Sequence, residues 1–263
     1  MFSRVGPRDE QVGETKMSGR LATHLGVRPV EVVVRRLRSL SHLSENELSL
    51  VHNLTERRDR QSAGEQLAGE GQNGVRPRFL VSGWACRQRL LPDGRRQIFS
   101  LMVPGDSFGF GPRPQLAGIT ALTGLETVDA HAVQDAIRTG AAPGLARAIA
   151  ASELLNDALL LDHAVRLGRL TAFERVAHLL LELQQRLEVV GLGDQQRFPM
   201  PLTQEIMADT LGLSIVHVNR TLQQLRRSHM IELRSGVAII LEPEALARIC
   251  DYRPAAIAQN KFA

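Results

Sequence analysis

The chain has 263 residues, of which 43% are hydrophobic and 23% charged, which is enough apolar material for a folded core. This length exceeds that of one ordinary domain and predicts two. No stretch reaches the roughly 18 uninterrupted apolar residues of a membrane-spanning helix, and residues 1–20 lack the apolar core of a secretory signal. We therefore expect a soluble, cytoplasmic protein with no membrane partner.

Cysteine content and charge narrow the function classes. Cys86 and Cys250 are too few for a disulfide framework, a four-thiolate zinc site or a cysteine-ligated iron–sulfur cluster. The formal charge is +4, and the 32 basic residues are all arginine except Lys16 and Lys261. Arginine suits phosphates and guanine edges, but codon composition also produces such a bias. Charge alone is therefore a weak indication of nucleic-acid binding.

The N-terminal part begins with a polar segment and continues with helical signals. Residues 1–20 contain glycine and show no apolar period, which predicts a disordered tail, and Met17 is an alternative translation start. Residues 28–54 have leucines at helical spacing. Ser44 followed by Glu47 fits a capping box inside this helical segment.

Short apolar runs separated by Gly, Pro and Asp extend from about residue 56 to residue 133 and predict antiparallel strands. Asp93-Gly94 is the strongest hairpin signal, because a two-residue turn favours residues that accept positive φ. Several strands at this spacing predict a small sandwich, jelly roll or barrel. Cys86 alternates with arginines beside Trp84, so we expect a buried structural thiol there rather than a redox sensor.

Residues 143–170 are predicted to form a long helix. Apolar side chains occupy more than one stripe, so the helix should meet both its own domain and a second surface. We favour a dimer partner over a helix buried within one chain. The residues expected at this dimer contact are Leu154, Leu155, Ala158, Leu161 and Val165.

Residues 202–227 have the pattern of a helix-turn-helix. Such a motif needs a small residue where its helices touch, a turn residue that tolerates positive φ, and an apolar anchor in the second helix. Ala208, Gly212 and Val218 occupy these places, and Thr203 and Ser214 can cap the two helices.

The surroundings of this motif predict a winged helix. Thr171 with Glu174 is a capping box that starts a preceding helix. After the motif, a hairpin is expected from Ile231 to Arg234 and from Val237 to Leu241, turning at Ser235-Gly236.

The second helix of the motif presents a polar face that fits a major groove. Arginine reads guanine, asparagine or glutamine reads adenine, and valine can contact a thymine methyl group. The candidate base contacts are Val216, His217, Asn219, Arg220 and Gln223. The candidate backbone contacts, which position a protein without reading sequence, are Thr203, Ser214, Arg226, Arg227 and Arg234.

A winged helix can also bind protein. Residues 214–234 contain four arginines and only one acidic residue, Glu232. This local positive charge favours double-stranded DNA as the partner. The alternative is a ligand-binding or scaffold protein whose winged helix contacts another protein. The sequence does not predict an enzyme, because the chain has no P-loop, no Gly-x-Ser-x-Gly elbow and no His-Glu-x-x-His motif.

After its first 20 residues, the chain resembles bacterial transcription regulators of the Crp/Fnr family over nearly its whole length. The segment LVSGWACRQRLLPDGRRQIFSLMVPGDSFG resembles their β-roll sensor, and LTQEIMADTLGLSIVHVNRTLQQLRR is similar to their helix-turn-helix. The resemblance implies a homodimer on a two-fold symmetric DNA site, with a β-roll signal that reorients the recognition helices. If the protein is an activator, RNA polymerase is a further expected partner.

The resemblance implies an α+β fold: an N-terminal cyclic-nucleotide-binding-like β-roll (jelly roll), a long dimerisation helix and a C-terminal winged helix-turn-helix. The expected divisions are a tail at 1–20, the sensor at 21–142, the dimerisation helix at 143–170 and the DNA-binding domain at 171–263.

Two departures from the family pattern concern specificity. Arg220 is retained on the recognition helix, but Val216 stands where the members that bind cyclic AMP have Glu, so the usual operator half-site is not expected. In the sensor, Gln115-Leu116 stands where cyclic-nucleotide binders have an Arg-Ser or Arg-Thr pair, and Arg113 is the nearest substitute. A buried phosphate would lack its cation there, so we expect neither cyclic AMP nor cyclic GMP.

The effector stays unidentified, and a regulator without any effector is an open alternative. We expect no cofactor and no metal. Haem ligation by His24, His42, His52 or His131, or pH sensing at His163, is less favoured than a structural role, since a lone histidine is more often a hydrogen-bonded structural residue.

Overall fold

The computed structural model describes residues 29–56 and 58–254. The expectations for the tail, for Met17 and for His24 lie outside the described residues. The first described helices are α1 (Glu31–Leu40) and α2 (Glu45–His52), followed by a 3-10 turn (Asn53–Glu56). The predicted capping box at α2 is confirmed: the Glu47 N–H donates to Ser44 Oγ, and the Ser44 N–H donates to the Glu47 carboxylate at 2.8 Å.

Eight strands follow and form two four-stranded antiparallel sheets, with strand orders β1-β8-β3-β6 and β2-β7-β4-β5. Leu80 and Leu125 of the first sheet share a core with Met102 and Ile119 of the second. The sheets therefore close around an apolar interior, as a jelly roll does. The strands are β1 (Arg58–Gln61), β2 (Gln66–Ala68), β3 (Arg78–Ser82), β4 (Ala85–Leu90), β5 (Arg96–Met102), β6 (Ser107–Phe108), β7 (Gly118–Ala121) and β8 (Leu125–Asp129).

The β4–β5 hairpin differs from the predicted two-residue turn at Asp93-Gly94. The Leu91 N–H donates to the Arg95 carbonyl at 2.7 Å, which leaves Pro92, Asp93 and Gly94 as a three-residue loop. Gly94 has a φ angle of +86°, whereas the φ angle of Asp93 is not positive. The predicted two-residue turn is therefore wrong by one residue. A three-residue loop with one left-handed glycine also connects twisted strands.

The C-terminal part is helical around a small sheet. The helices are α3 (His131–Arg138), α4 (Pro143–Arg169), α5 (Ala172–Val189), α6 (Gln204–Leu211), α7 (Ile215–Arg227) and α8 (Pro243–Ile249). The strands β9 (Arg197–Pro199), β10 (Ile231–Arg234) and β11 (Val237–Ile240) pair in the order β10-β11-β9. The capping box at Thr171 and Glu174 is confirmed. Among the described residues, no helix is long and apolar enough to cross a membrane.

A buried chain of ions connects the jelly roll to the C-terminal helices. The Asp106 carboxylate, in the turn after β5, accepts from Arg36 of α1 at 3.1 Å and from Arg186 of α5 at 2.6 Å. Arg186 also donates to Glu182 at 3.2 Å, and Glu182 pairs with Arg166 of α4. All five side chains are at most 8% exposed. Burial would raise the pKa of Asp106, but Arg186 and Arg36 outweigh it and lower the pKa below its usual value.

A second connection lies at the surface and joins β5 to the first helix of the helix-turn-helix. The Arg96 guanidinium forms an ion pair with the Asp209 carboxylate, through Nε at 2.8 Å and Nη2 at 2.6 Å. The neighbouring Gln97 amide donates to the Asp209 carbonyl at 3.1 Å. The sheet that carries the β4–β5 hairpin therefore holds α6 directly.

Two histidines are buried beside the ion chain. His163 and His178 are 5% and 8% exposed. Burial, followed by the nearby charge of Arg166, lowers the pKa of each imidazole to about 4. Both are therefore neutral near pH 7, and the Nδ1 atom of His178 lies 3.0 Å from Arg166 Nη2. Titration of His163 near neutral pH, the less favoured interpretation, finds no support here.

We expect the free energy of unfolding to fall as the pH decreases from 6.5 to 4. In this window the unfolded imidazoles bind protons while the folded ones resist them, so stability rises with pH. The slope is at most about 1.4 kcal/mol per pH unit for each histidine. Urea unfolding at closely spaced pH values measures this slope.

A paired variant and a control complete the pH test. His163→Gln combined with His178→Gln should flatten the slope. His131→Gln, which changes a side chain that is 68% exposed, should leave it unaltered. An unchanged slope in the double variant would contradict the assignment.

Candidate nucleic-acid interface

The helix-turn-helix forms at α6 and α7, and its local signals are confirmed. Thr203 caps α6 by accepting the Ile206 N–H at 3.2 Å. Ser214 caps α7 by accepting the His217 N–H at the same distance. Between the helices, Gly212 has φ +61. That left-handed turn residue sends α7 across α6, which is what the motif requires.

Helix α7 buries one face and exposes the other. Val218, Leu222 and Leu225 are at most 6% exposed and pack into the core. Ala208 of α6 is 5% exposed, in keeping with the small residue expected where the two helices touch. The opposite face of α7 is therefore free to meet a groove.

The candidate base contacts all lie on this outer face. Val216 is 68% exposed, an unusual position for a valine. His217, Arg220 and Gln223 are exposed, and Asn219 is half-buried. Ile215, which was not among the predicted contacts, is 49% exposed beside Val216. The start of α7 therefore presents two aliphatic side chains to whatever it binds.

The amide side chains on this surface are hydrogen-bonded to one another. Asn219 Nδ2 donates to Gln204 Oε1 at 3.0 Å, and Gln223 Nε2 donates to Asn219 Oδ1 at 2.8 Å. Gln204 is the first residue of α6 and was not a candidate, because all the predicted base contacts lie on the recognition helix. Its position directly after the Thr203 cap is the sequence signal that could have identified it.

Cationic side chains border the face on the side of the hairpin. Ser235 and Gly236 have φ +48 and +75, so the predicted two-residue turn between β10 and β11 is confirmed. Arg234 is 75% exposed but pairs with Glu232 at 2.9 Å, so part of its charge is neutralised. A cleft between α7 and the hairpin is lined by Gln223, Arg226, Arg227, His229, Ile231, Glu232, Leu233, Arg234 and Leu241.

Thr203 and Ser214 lie at the N-termini of the two helices. Their hydroxyl oxygens accept the capping N–H groups, which leaves each O–H free to donate. A phosphate oxygen near a helix N-terminus is a suitable acceptor for such a donor. Both residues are exposed, so this geometry is compatible with their candidate role.

The long helix α4 leaves an apolar stripe uncovered. Leu154, Leu161 and Val165 are 56%, 69% and 56% exposed, and Ala158 between them is half-buried. Leu155 requires a correction, because it is 4% exposed within the chain's own core. Adjacent helical residues are separated by about 100°, so Leu155 faces inward when Leu154 faces out.

The comparisons with known proteins decide the family. Residues 174–249 match the Crp-like helix-turn-helix domain. The nitrogen fixation regulation protein FixK of Azorhizobium caulinodans is 31% identical over 71% of this chain and 75% of its own length. FixK of Rhizobium meliloti is 34% identical over 66% of this chain and 78% of its own length. The chain belongs to the Crp/Fnr family. It is a DNA-binding transcription regulator.

The fold of this Crp/Fnr regulator agrees with a solved relative. The structure of FixK2 from Bradyrhizobium japonicum is similar with a TM-score of 0.65 and 26% identity, over 75% of this chain and 98% of that one. The predicted α+β class, with an N-terminal sheet domain and a C-terminal helix-turn-helix, is confirmed.

In this Crp/Fnr regulator, the residues that stand where cyclic-nucleotide binders hold the phosphate do not form a pocket. Gln115 is tied by its main chain to Gly71 and Gln72 at 2.8 and 3.0 Å. Leu116 is 81% exposed and Arg113 is also exposed. These residues therefore form a surface loop. Cys86 is fully buried, and burial raises the pKa of its thiol to about 12, so it is not an activated thiolate.

Proposed function

We propose that this regulator binds a two-fold symmetric DNA site as a homodimer, with α7 of each protomer in a major groove. The observation that carries the proposal is the division of α7 into a buried apolar face and an exposed face rich in groove-reading side chains. A two-fold dimer places its two recognition helices about 34 Å apart, which is one turn of DNA.

The stripe on α4 supports the dimer. Leu154, Leu161 and Val165 follow the spacing of a coiled-coil seam, with the small Ala158 between them. Covering each large aliphatic side chain is worth about 1.5 to 3 kcal/mol. A second copy of α4 presents the same stripe, so the two helices can cover one another about a two-fold axis.

The candidate contacts divide by chemistry. Arg220, near the centre of the exposed face, suits the O6 and N7 atoms of guanine, and Val216 suits a thymine methyl group. Arg226 and Arg227, at the C-terminal end of α7, suit phosphates. His217, Asn219 and Gln223 complete the reading surface, while Thr203, Ser214 and Arg234 complete the backbone contacts.

We further propose domain boundaries, a cellular location and a contact with RNA polymerase. We assign the sensor to residues 21–142, the dimerisation helix to 143–170 and the DNA-binding domain to 171–263. The protein acts in the cytoplasm without catalysing a reaction, and it contacts RNA polymerase if it activates transcription.

Selection of bound duplexes from a random DNA library tests this proposal. Purified full-length protein at near-physiological salt and without added ligand should enrich a motif with two symmetric half-sites one helical turn apart. The affinity for this motif should fall steeply as salt increases, because counterions are released from the DNA. An asymmetric motif, or none with protein alone and in cell extract, would refute the proposal.

Two single variants separate base reading from backbone contact. Arg220→Ala should weaken binding of the selected motif by about 1 to 3 kcal/mol and relax one position of each half-site. Arg227→Ala should weaken binding to all sequences to a similar extent and reduce the salt slope by about one. Titration of both variants against the selected and a scrambled duplex measures the difference. Equal losses on both duplexes from both variants would overturn the division of roles.

A further inference from the structure

Three amide side chains form a continuous hydrogen-bonded chain across the two helices of the helix-turn-helix. Gln204, the first residue of α6, accepts from Asn219 of α7, and Asn219 accepts from Gln223 one turn further along α7. The two donor–acceptor distances are 3.0 and 2.8 Å. We refer to these three residues as the amide chain. It is the only link between side-chain amides of α6 and α7 that the described residues contain.

The amide chain changes which amide is available for a base. Asn219 uses its oxygen for Gln223 and one N–H for Gln204. Gln223 still has an unused carbonyl oxygen and one N–H. An adenine edge requires one acceptor and one donor from the same amide. Gln223 retains that pair with its oxygen wholly unused, whereas Asn219 has already committed one N–H and one of the two lone pairs of its oxygen.

The exposure of the side chains also favours Gln223 over Asn219 as the base contact. Asn219 is half-buried between the exposed Gln204 and Gln223. A glutamine side chain on a helix surface has several rotamers, and fixing one costs conformational entropy on binding. Hydrogen bonds already made in the free protein reduce that cost, and they strengthen when the groove excludes water.

We propose that Gln204 and Asn219 are positioning residues that hold the Gln223 amide ready for an adenine edge. Gln204 thus helps to determine sequence preference although it lies outside the recognition helix. The inference rests on the proposed function, because it assumes that α7 reads bases. It keeps Gln223 as a direct base contact, and it changes Asn219 from a candidate base contact to a positioning residue, the role that it also gives to Gln204.

Selection from the random DNA library, repeated with variants, tests the inference. Gln204→Leu keeps the size of the side chain and removes the acceptor. It should relax the same operator position that Gln223→Leu relaxes, with about a fivefold to twentyfold loss of preference there. Affinity for scrambled DNA and the melting temperature should stay close to those of the unaltered protein. In the Gln223→Leu background, Gln204→Leu should have little further effect on preference.

Gln224→Leu is the matched control, since Gln224 is an exposed glutamine of α7 that makes no side-chain hydrogen bond among those described. It should leave that operator position unchanged. If Gln204→Leu weakens all sequences equally, Gln204 is a phosphate contact and the inference fails. Relaxation of a different position, or additive effects with Gln223→Leu, overturns it as well. If the unaltered protein enriches no symmetric motif, the proposed function itself fails, which is a separate result.

Discussion

Replacement of Asp106 by asparagine is expected to lower the free energy of unfolding by about 3 to 5 kcal/mol. The carboxylate is buried between Arg36 and Arg186, which donate to it at 3.1 and 2.6 Å. An asparagine of the same shape leaves two buried guanidinium groups facing a neutral amide, and of the two only Arg186 keeps a second carboxylate partner, Glu182. Buried charge that loses its partner is among the most destabilising changes in a folded protein.

Urea unfolding at pH 7 measures this effect. Asp93→Asn is the matched control, because Asp93 also pairs with an arginine, Arg95, but its side chain is 52% exposed. Water and salt screen an exposed ion pair, so the control should lose little stability. A loss below about 1 kcal/mol in Asp106→Asn would contradict the view that the Asp106 carboxylate compensates the buried charges of Arg36 and Arg186.

Leu161→Glu is expected to convert the proposed dimer to a monomer and to reduce affinity for the selected symmetric DNA by about 100-fold or more. Leu161 is 69% exposed in the single chain, so the substitution removes almost no contact within it. In a two-fold dimer the same substitution places two carboxylates opposite one another in an apolar seam. A monomer binds one half-site and loses the gain from simultaneous contact with two.

Light scattering coupled to size-exclusion chromatography gives the oligomeric state, and DNA titration gives the affinity. Leu160→Glu is the matched control: Leu160 is 48% exposed on the same helix but lies about 120° away from the stripe. It should remain dimeric. A Leu161→Glu protein that stays dimeric with full affinity would remove α4 from the proposed interface.

Much of the helix-turn-helix could be predicted because its signals are local. Thr203 and Ser214 each accept an N–H three residues ahead, and Gly212 adopts the left-handed conformation that glycine tolerates best. Ser235-Gly236 turns the hairpin for a similar reason. Such interactions span only a few residues, so the residue types identify them without knowledge of the rest of the chain.

Orientation was less predictable where neighbouring residues compete for the same surface. Leu154 and Leu155 are equally apolar, and only packing against the rest of the chain buries one and leaves the other exposed. Gln204 gained its place in the candidate site because the turn at Gly212 brings the start of α6 beside Asn219, 15 residues later. A search along the recognition helix alone does not reach it.

Sequence alone is sufficient to predict the order of the elements, the family and the polar face of α7, since caps, turns and apolar spacing are properties of short segments. How the N-terminal sheet domain is joined to the helix-turn-helix domain depends on contacts between distant residues, and these form only in the folded chain. Asp106 meets Arg36 across 70 residues and Arg186 across 80, and Arg96 meets Asp209 across 113. Charged residues have many partners available along a chain, and only folding selects which of them are brought close enough to pair.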